Sequence, residues 1–403
     1  MSLSFKDQMT QSVPNYVNGT TRFQKINSLL LANEPWQKEA FEKLRDLLKN
    51  MREITASDID LGSASSIHHV WYRVFGTKAP SLDVPQYSND EITSMLLSII
   101  SEDQKEQLYK NRNLDFSLGI ALEPGEDNSR FRGNIYYDTN HLVANFRRIN
   151  QKVFKIETLG FPEPIIRRLN LRYEKSGLVL ITGITGSGKS TTLDSIIDMC
   201  NNTNEAHMVI IGSPIEYIHK PNKCIIRHRE VGEDVLSFQK GTIQALRQDP
   251  DIIVVGEMRD AETIATVLEV TDSGHKVYTT LHTSSAIDSV HRIIGEFPPA
   301  EQERIRNRLA DTLKLAVSQK LVPNKEGKYT MAKEILSVNA SVSAAIRNNN
   351  IGEIYQMITE GKSKGMMTLE QDLFNLYRKG SITKENALNY SNNRKRMLRF
   401  LGH

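Results

Sequence analysis

Cysteine is scarce in this chain: Cys200 and Cys224 are the only two among 403 residues. Two cysteines exclude a disulfide framework and a four-cysteine zinc site, and they fit a reducing compartment. Long apolar runs are missing too; none approaches the ~18 residues that a membrane span needs. The opening residues Met1-Ser2-Leu3-Ser4-Phe5-Lys6-Asp7-Gln8 show no basic stretch followed by an apolar one, so no secretory signal is expected. Charge of one sign is not in excess: the net +3 is too mild to imply nucleic-acid binding. No basic stripe interleaved with aromatics appears, so direct DNA binding is not expected. No internal repeat stands out.

What is present is an ordinary globular composition, 25% charged and 39% hydrophobic, over a length that accommodates two or three domains with cores of their own. Residues 1–36 are polar and weakly periodic and read as a loosely ordered arm. From 37 to 156, Phe41, Leu44, Leu47 and Leu48 recur at helical spacing, 91–108 has a helical pattern, and 66–74, 115–120 and 131–137 are strand-like. That mixture predicts an α+β domain. The stretch 157–164, with Gly160-Phe161-Pro162, reads as a connector. Over 165–322 strands and helices alternate, with strands expected at 178–181, 208–211, 252–255 and 277–281. Such alternation predicts a parallel sheet covered by helices, with its chemistry at the carboxyl ends of the strands. Residues 323–403 read as mainly helical.

The third region holds the most specific feature. An apolar strand runs into Gly183-x4-Gly188-Lys189-Ser190, and a helical spacing of Leu193, Ile196 and Ile197 follows. Strand, glycine loop, Lys-Ser and helix together make the complete phosphate-loop pattern in the context it requires. The glycines let successive N–H groups turn inward onto phosphate oxygens, and the helix N-terminus adds partial positive charge. The loop residues Gly183, Thr185, Gly186, Ser187, Gly188, Lys189, Ser190 and Thr191 are therefore expected to hold ATP, with Lys189 on the β- and γ-phosphates and the Ser190 hydroxyl on Mg²⁺.

Hydrolysis further requires acids. The apolar run 252–255 ends on Gly256-Glu257, and the exit of so apolar a strand points Glu257 into the nucleotide crevice, where it would orient Mg²⁺. Glu216, in Gly212-Ser213-Pro214-Ile215-Glu216, follows another strand. On spacing alone it fits a general base and a solvated carboxylate equally. His275 and His282 bracket one strand; each fits a γ-phosphate sensor or a histidine satisfying loop carbonyls.

The ordered set of motifs, 183–192, 213–217, 249–260 and 274–283, resembles the secretion ATPase superfamily, the hexameric motors of type IV pili and of type II and type IV secretion. Within it, Arg229-Glu230-Val231-Gly232, Ala345-Ile346-Arg347-Asn348 and Gly365-Met366-Met367-Thr368-Leu369 look like the pilus retraction (PilT-like) ATPases, over about residues 40–385. The resemblance implies a RecA-like P-loop ATPase domain, a PAS-like α+β N-terminal domain and a helical C-terminal region. It assigns Glu216 as the catalytic glutamate, Glu257 as the Walker B glutamate and His282 as the nucleotide-proximal histidine. It also places Arg130, Arg132 and Arg147 toward nucleotide in a subunit interface, a role suited to bidentate phosphate contacts.

Gly212-Ser213 stands where the pilus enzymes have two acids; this and Tyr278-Thr279-Thr280 look more like the DotB/TraJ branch of type IVB secretion and conjugation. The expected function is a hexameric motor at the cytoplasmic face of the inner membrane, serving type IVB secretion or, alternatively, pilus retraction. Its partners would be a membrane platform or coupling proteins, and membrane contact would run through them. The 157–164 connector would be the hinge of the power stroke. A nucleotide-gated scaffold is the competing class. The basic run 393–400 reads as a solvated helix end or as a contact with anionic lipid or a membrane partner.

Overall fold

The computed structural model describes residues 11–62, 66–67, 69–149 and 153–402. Residues 1–10 of the expected arm, and His68 within the strand expected at 66–74, lie outside them. The chain divides into two compact units, Met1–Gln151 and Lys152–His403.

In the first unit, helices α1 (Gly19–Ala32) and α2 (Glu34–Glu53) precede β1 (Asp58–Leu61), β2 (Val70–Val74) and β3 (Thr77–Pro80). Then come α3 (Asn89–Leu97), α4 (Glu102–Asn111), β4 (Asn113–Ile120), β5 (Ser129–Asp138) and β6 (His141–Arg148). The strands form one antiparallel sheet in the order β3-β2-β1-β6-β5-β4. Alternation sorts its faces: Phe131, Gly133 and Ile135 of β5 are buried, while Arg132 and Tyr136 are exposed.

One expectation fails here. The polar arm contains helix α1, and its Phe23, Ile26 and Leu30 are buried in the unit's core. Only three or four apolar residues per two turns are needed to dock a helix, so a polar composition concealed it. The helical pattern at 91–108 is divided between α3 and α4, because Ser101 opens a capping box with Gln104 and restarts the chain.

The second unit is built on a seven-stranded sheet. Its strands are β7 (Gly177–Thr182), β8 (His207–Gly212), β9 (Ile225–Glu230), β10 (Ile252–Val255), β11 (Lys276–Leu281), β12 (Leu313–Pro323) and β13 (Tyr329–Ser337), in the order β13-β12-β7-β11-β10-β8-β9. All neighbours are parallel except β12 and β13. Every residue of β7, β10 and β11 is buried, as a sheet covered on both faces requires. Leu178, Leu180, Ile253 and Val255 enter one core, and Val179, Ile181, Ile252 and Val254 the other.

The unit's helices are α5 (Glu163–Leu169), α6 (Lys189–Thr203), α7 (Phe238–Ala245), α8 (Ala261–Asp272), α9 (Ala286–Gly295), α10 (Pro299–Thr312), α11 (Ala340–Arg347), α12 (Ile354–Glu360), α13 (Leu369–Arg378), α14 (Lys384–Tyr390) and α15 (Arg394–Phe400). The region after Pro323 is not wholly helical: β13 runs antiparallel to β12 and extends the sheet before α11 begins. The stretch 157–164 is packed rather than a free connector, since Ile156, Phe161 and Ile165 lie in the second unit's core.

Candidate active site

Four parallel strands end side by side. Leu281 at the end of β11 is in register with Thr182 at the end of β7, and Val255 of β10 pairs with both Thr279 of β11 and Ile211 of β8. Backbone bonds carry the alignment past the strand ends: Gly183 N donates to Leu281 O (3.3 Å), Gly256 N to Ile211 O (2.8 Å) and Met258 N to Thr280 O (3.2 Å). The segments beginning at Gly183, Ser213, Gly256 and His282 therefore leave the sheet at one edge.

The loop from Gly183 leads into helix α6 (Lys189–Thr203). Gly186 and Gly188 have φ of 78° and 87°, which only glycine adopts readily, and Thr185 and Gly186 are exposed. Ser187 is buried, and its Oγ has no hydrogen-bond partner among the described residues. Lys189 Nζ folds back onto the loop, donating to Gly183 O at 2.9 Å and Ile184 O at 3.2 Å. Burial lowers the Lys189 pKa, and Glu257 and Glu216 pull it back up. Both carboxylates thus act on the lysine of the loop. An orphaned hydroxyl, a lysine held by carbonyls and an exposed glycine turn fit a phosphate chain. Ser190, at the start of α6, and Glu257, just past β10, carry oxygens of the kind that Mg²⁺ takes; such an ion uses few protein ligands, and among the described residues no cluster of three or more ligating His, Cys, Asp or Glu exists.

Glu257 is clamped by charge: its Oε2 lies 2.8 Å from Arg259 Nη2, and its Oε1 lies 3.1 Å from His282 Nε2. Glu216 is exposed just beyond the β8 exit. His275 sits at the opposite end of β11, with Nδ1 3.0 Å from Ser273 Oγ and 3.2 Å from Val270 O. Of the two readings open for each histidine, loop satisfaction fits His275, and proximity to the loop fits His282.

Arg130, Arg132 and Arg147 lie in the first unit. Arg132 faces Arg147 across β5 and β6, and Arg130 is two residues along the same face. Arg130 Nη2 donates to Ser117 Oγ at 2.8 Å, and Arg147 Nε donates to Asp58 Oδ1 at 2.8 Å.

Two supporting residues lie outside the four ordered motifs. Gln319 of β12, 1% exposed, donates to Ser187 O (2.8 Å) and accepts from Thr192 Oγ1 (3.0 Å), tying the loop to the sheet. The polar stretch Ser318-Gln319-Lys320 between the apolar Leu315-Ala316-Val317 and Leu321-Val322 is its one trace in the sequence. Buried Glu230, at the end of β9, accepts from Ile215 N at 3.3 Å and so anchors the residue before Glu216.

A strand–loop–helix phosphate cradle with carboxylates bearing on its lysine defines an ATPase of the phosphate-loop class. The family model for type II/IV secretion system proteins matches residues 40–400, and the chain belongs to that family. The type IV pilus retractation ATPase PilT of Pseudomonas aeruginosa is 38% identical over 306 residues, which are 76% of this chain and 87% of that protein. The crystal structure of the pilus retraction motor PilT with bound ADP is 37% identical with a TM-score of 0.80, covering 88% of this chain and 98% of that one. The ATPase DotB of Legionella pneumophila is 27% identical with a TM-score of 0.68, covering 84% and 92%.

The tilt toward the DotB/TraJ branch is therefore corrected: across the chain, sequence and structure are both nearer PilT. One of its signals has a local cause. Tyr278 is fully buried and its hydroxyl donates to Leu169 O, so it serves the core.

Proposed function

We propose that this protein is a type IV pilus retraction motor, and the observation that carries the reading is its greater likeness to PilT than to DotB over most of both chains. The second unit acts as a RecA-like ATPase domain and the first as a PAS-like domain. Six copies form a ring at the cytoplasmic face of the inner membrane, working against a pilus platform.

ATP lies along 183–191, with Lys189 exchanging its two carbonyl partners for β- and γ-phosphate oxygens. Ser190 and Glu257 would hold Mg²⁺, which would supply charge neutralisation on those phosphates. Glu216 takes the proton from the attacking water. His282 leaves Glu257 and donates its single N–H toward the terminal phosphate. Arg130, Arg132 and Arg147 from a neighbouring copy meet the charge that develops there.

Lys189→Ala should abolish ATP binding, and Glu216→Gln should leave binding intact while lowering kcat on the order of 10²–10⁴-fold. Wild-type turnover in both would remove the ATPase mechanism. The machine is tested separately. Deleting the gene in its host should leave labelled pili extended and unretracted, whereas normal retraction with lost protein secretion would favour the DotB-like reading.

A further inference from the structure

The proposed reaction leaves one feature of the chain unused. Seven of the 51 cations and one of the 48 acids fall within residues 378–399, so these 22 residues carry +6 while the rest of the chain carries −3. The structure gathers them on a small helical subdomain. Helices α13 (Leu369–Arg378), α14 (Lys384–Tyr390) and α15 (Arg394–Phe400) close over a core of Val322, Ala332, Leu369, Leu373, Ile382, Ala387 and Met397.

Packing decides which cations are available. Arg396 is committed, its guanidinium lying 3.6 Å over the Tyr355 ring. Met397 is fully buried, so Lys395 and Arg399, two residues to either side and one turn apart, occupy the opposite, outward side of α15. Arg378 lies 6.0 Å over Phe374, whose ring meets Phe400 of α15 at 5.7 Å, which joins the end of α13 to the same surface. Among the described residues, Arg378, Lys379, Arg394, Lys395 and Arg399 make no ion pair. Phe400 is 36% exposed at the edge of this surface.

We infer that this surface binds anionic phospholipid directly, so that the ATPase meets the membrane through its own α13–α15 subdomain as well as through partners. Unpaired cations on an exposed helical surface, with a partly exposed phenylalanine at their edge, suit a plane of lipid headgroups in which the ring enters the interface. Single-stranded nucleic acid would call for a track of stacking aromatics, whereas Phe400 is the one exposed aromatic within 378–400.

The test is cosedimentation of the full-length protein with vesicles of phosphatidylcholine, with and without phosphatidylglycerol. Wild type should bind only the anionic vesicles and be released by added salt. The double variant Lys395→Glu/Arg399→Glu should lose binding on the order of tenfold or more, while its ATPase rate in solution stays at the wild-type level. Lys395→Arg should bind as wild type does. Equal binding to neutral vesicles, no binding to anionic ones, or undiminished binding by the double variant would each overturn the inference. So would capture of duplex DNA, lost in the double variant, by a protein that ignores vesicles. Because ATP turnover is read in the same samples, failure here is distinguishable from failure of the motor reading.

Discussion

The Nε2 atom of His282 stands 3.1 Å from Glu257 Oε1, at the exits of two adjacent parallel strands. Burial lowers the histidine's pKa, and Lys189 lowers it further; Glu257 opposes both. Near neutral pH that shift favours the uncharged ring. Glu257→Gln removes the carboxylate that favours the charged ring. His282 should then titrate at still lower pH, measured by NMR of the ring, and ATP hydrolysis should fall on the order of 10²–10³-fold with ADP binding retained. An unmoved histidine titration would show that the two groups are not coupled.

Gly183 carries a second prediction. Its φ is 150°, and a Cβ there would stand 2.3 Å from Ser187 Oγ and 2.5 Å from the backbone oxygen of Gln319. The serine hydroxyl could rotate away, but the strand backbone could not. Gly183→Ala should therefore open the loop, abolish nucleotide binding and destabilise the second unit by about 2–4 kcal/mol, as urea unfolding and ADP titration would register. Gly186, where an added methyl group would meet nothing within 4 Å, should tolerate alanine better, limited by its positive φ alone.

These two sites also show what the sequence could and could not disclose. The loop was legible because a local pattern performs a local task, and apolar continuity gave 178–181, 208–211, 252–255 and 277–281 as strands because a sheet covered on both faces needs nothing else. Gln319 was not legible, because its value lies in reaching a loop 132 residues away. β9 and β13 hid for a related reason. They are the outermost strands of the sheet, and β9 carries three charged residues among its six. The Arg132–Arg147 juxtaposition likewise depends on the register of β5 with β6, which no spacing in the chain reveals.

A third prediction concerns pH. Glu334 of β13 is 3% exposed, and its carboxylate accepts from Ala286 N at 2.8 Å. Burial pushes its pKa from 4.5 to about 7; the Ala286 N–H opposes this, and the nearby Glu370 carboxylate adds to it. The folded chain thus keeps a proton that the unfolded chain gives up near its ordinary value. Its stabilising contribution is complete below about 4.5 and is lost as pH rises through about 7. Glu334→Gln removes the buried charge and keeps an acceptor for Ala286. Thermal unfolding should show the variant more stable than wild type at pH 8, by up to ~3 kcal/mol, and nearly equal to it at pH 5. A gap of the same size at both pH values would mean that the carboxyl does not titrate in that range.

The last prediction bears on the first unit. A polar composition made residues 1–36 read as a loosely ordered arm, yet Phe23 is 1% exposed and meets the Tyr137 ring edge-on at 5.3 Å, and Arg22 binds Asp90 through two hydrogen bonds of 2.7 and 2.5 Å. Helix α1 has little net hydrophobicity, so its stability derives from docking rather than from propensity. If docking holds it, the penalty for truncating the central ring should match that of a core phenylalanine, about 3–5 kcal/mol. Phe23→Ala should lower the first unit's unfolding midpoint in urea accordingly, while the neighbouring exposed change Gln24→Ala should shift it by less than ~0.5 kcal/mol. A small effect of Phe23→Ala would return α1 to the status of an arm. A large one makes α1 part of the fold that carries Arg130, Arg132 and Arg147, so under the proposed mechanism ATP turnover should fall with it even though the phosphate loop lies in the other unit.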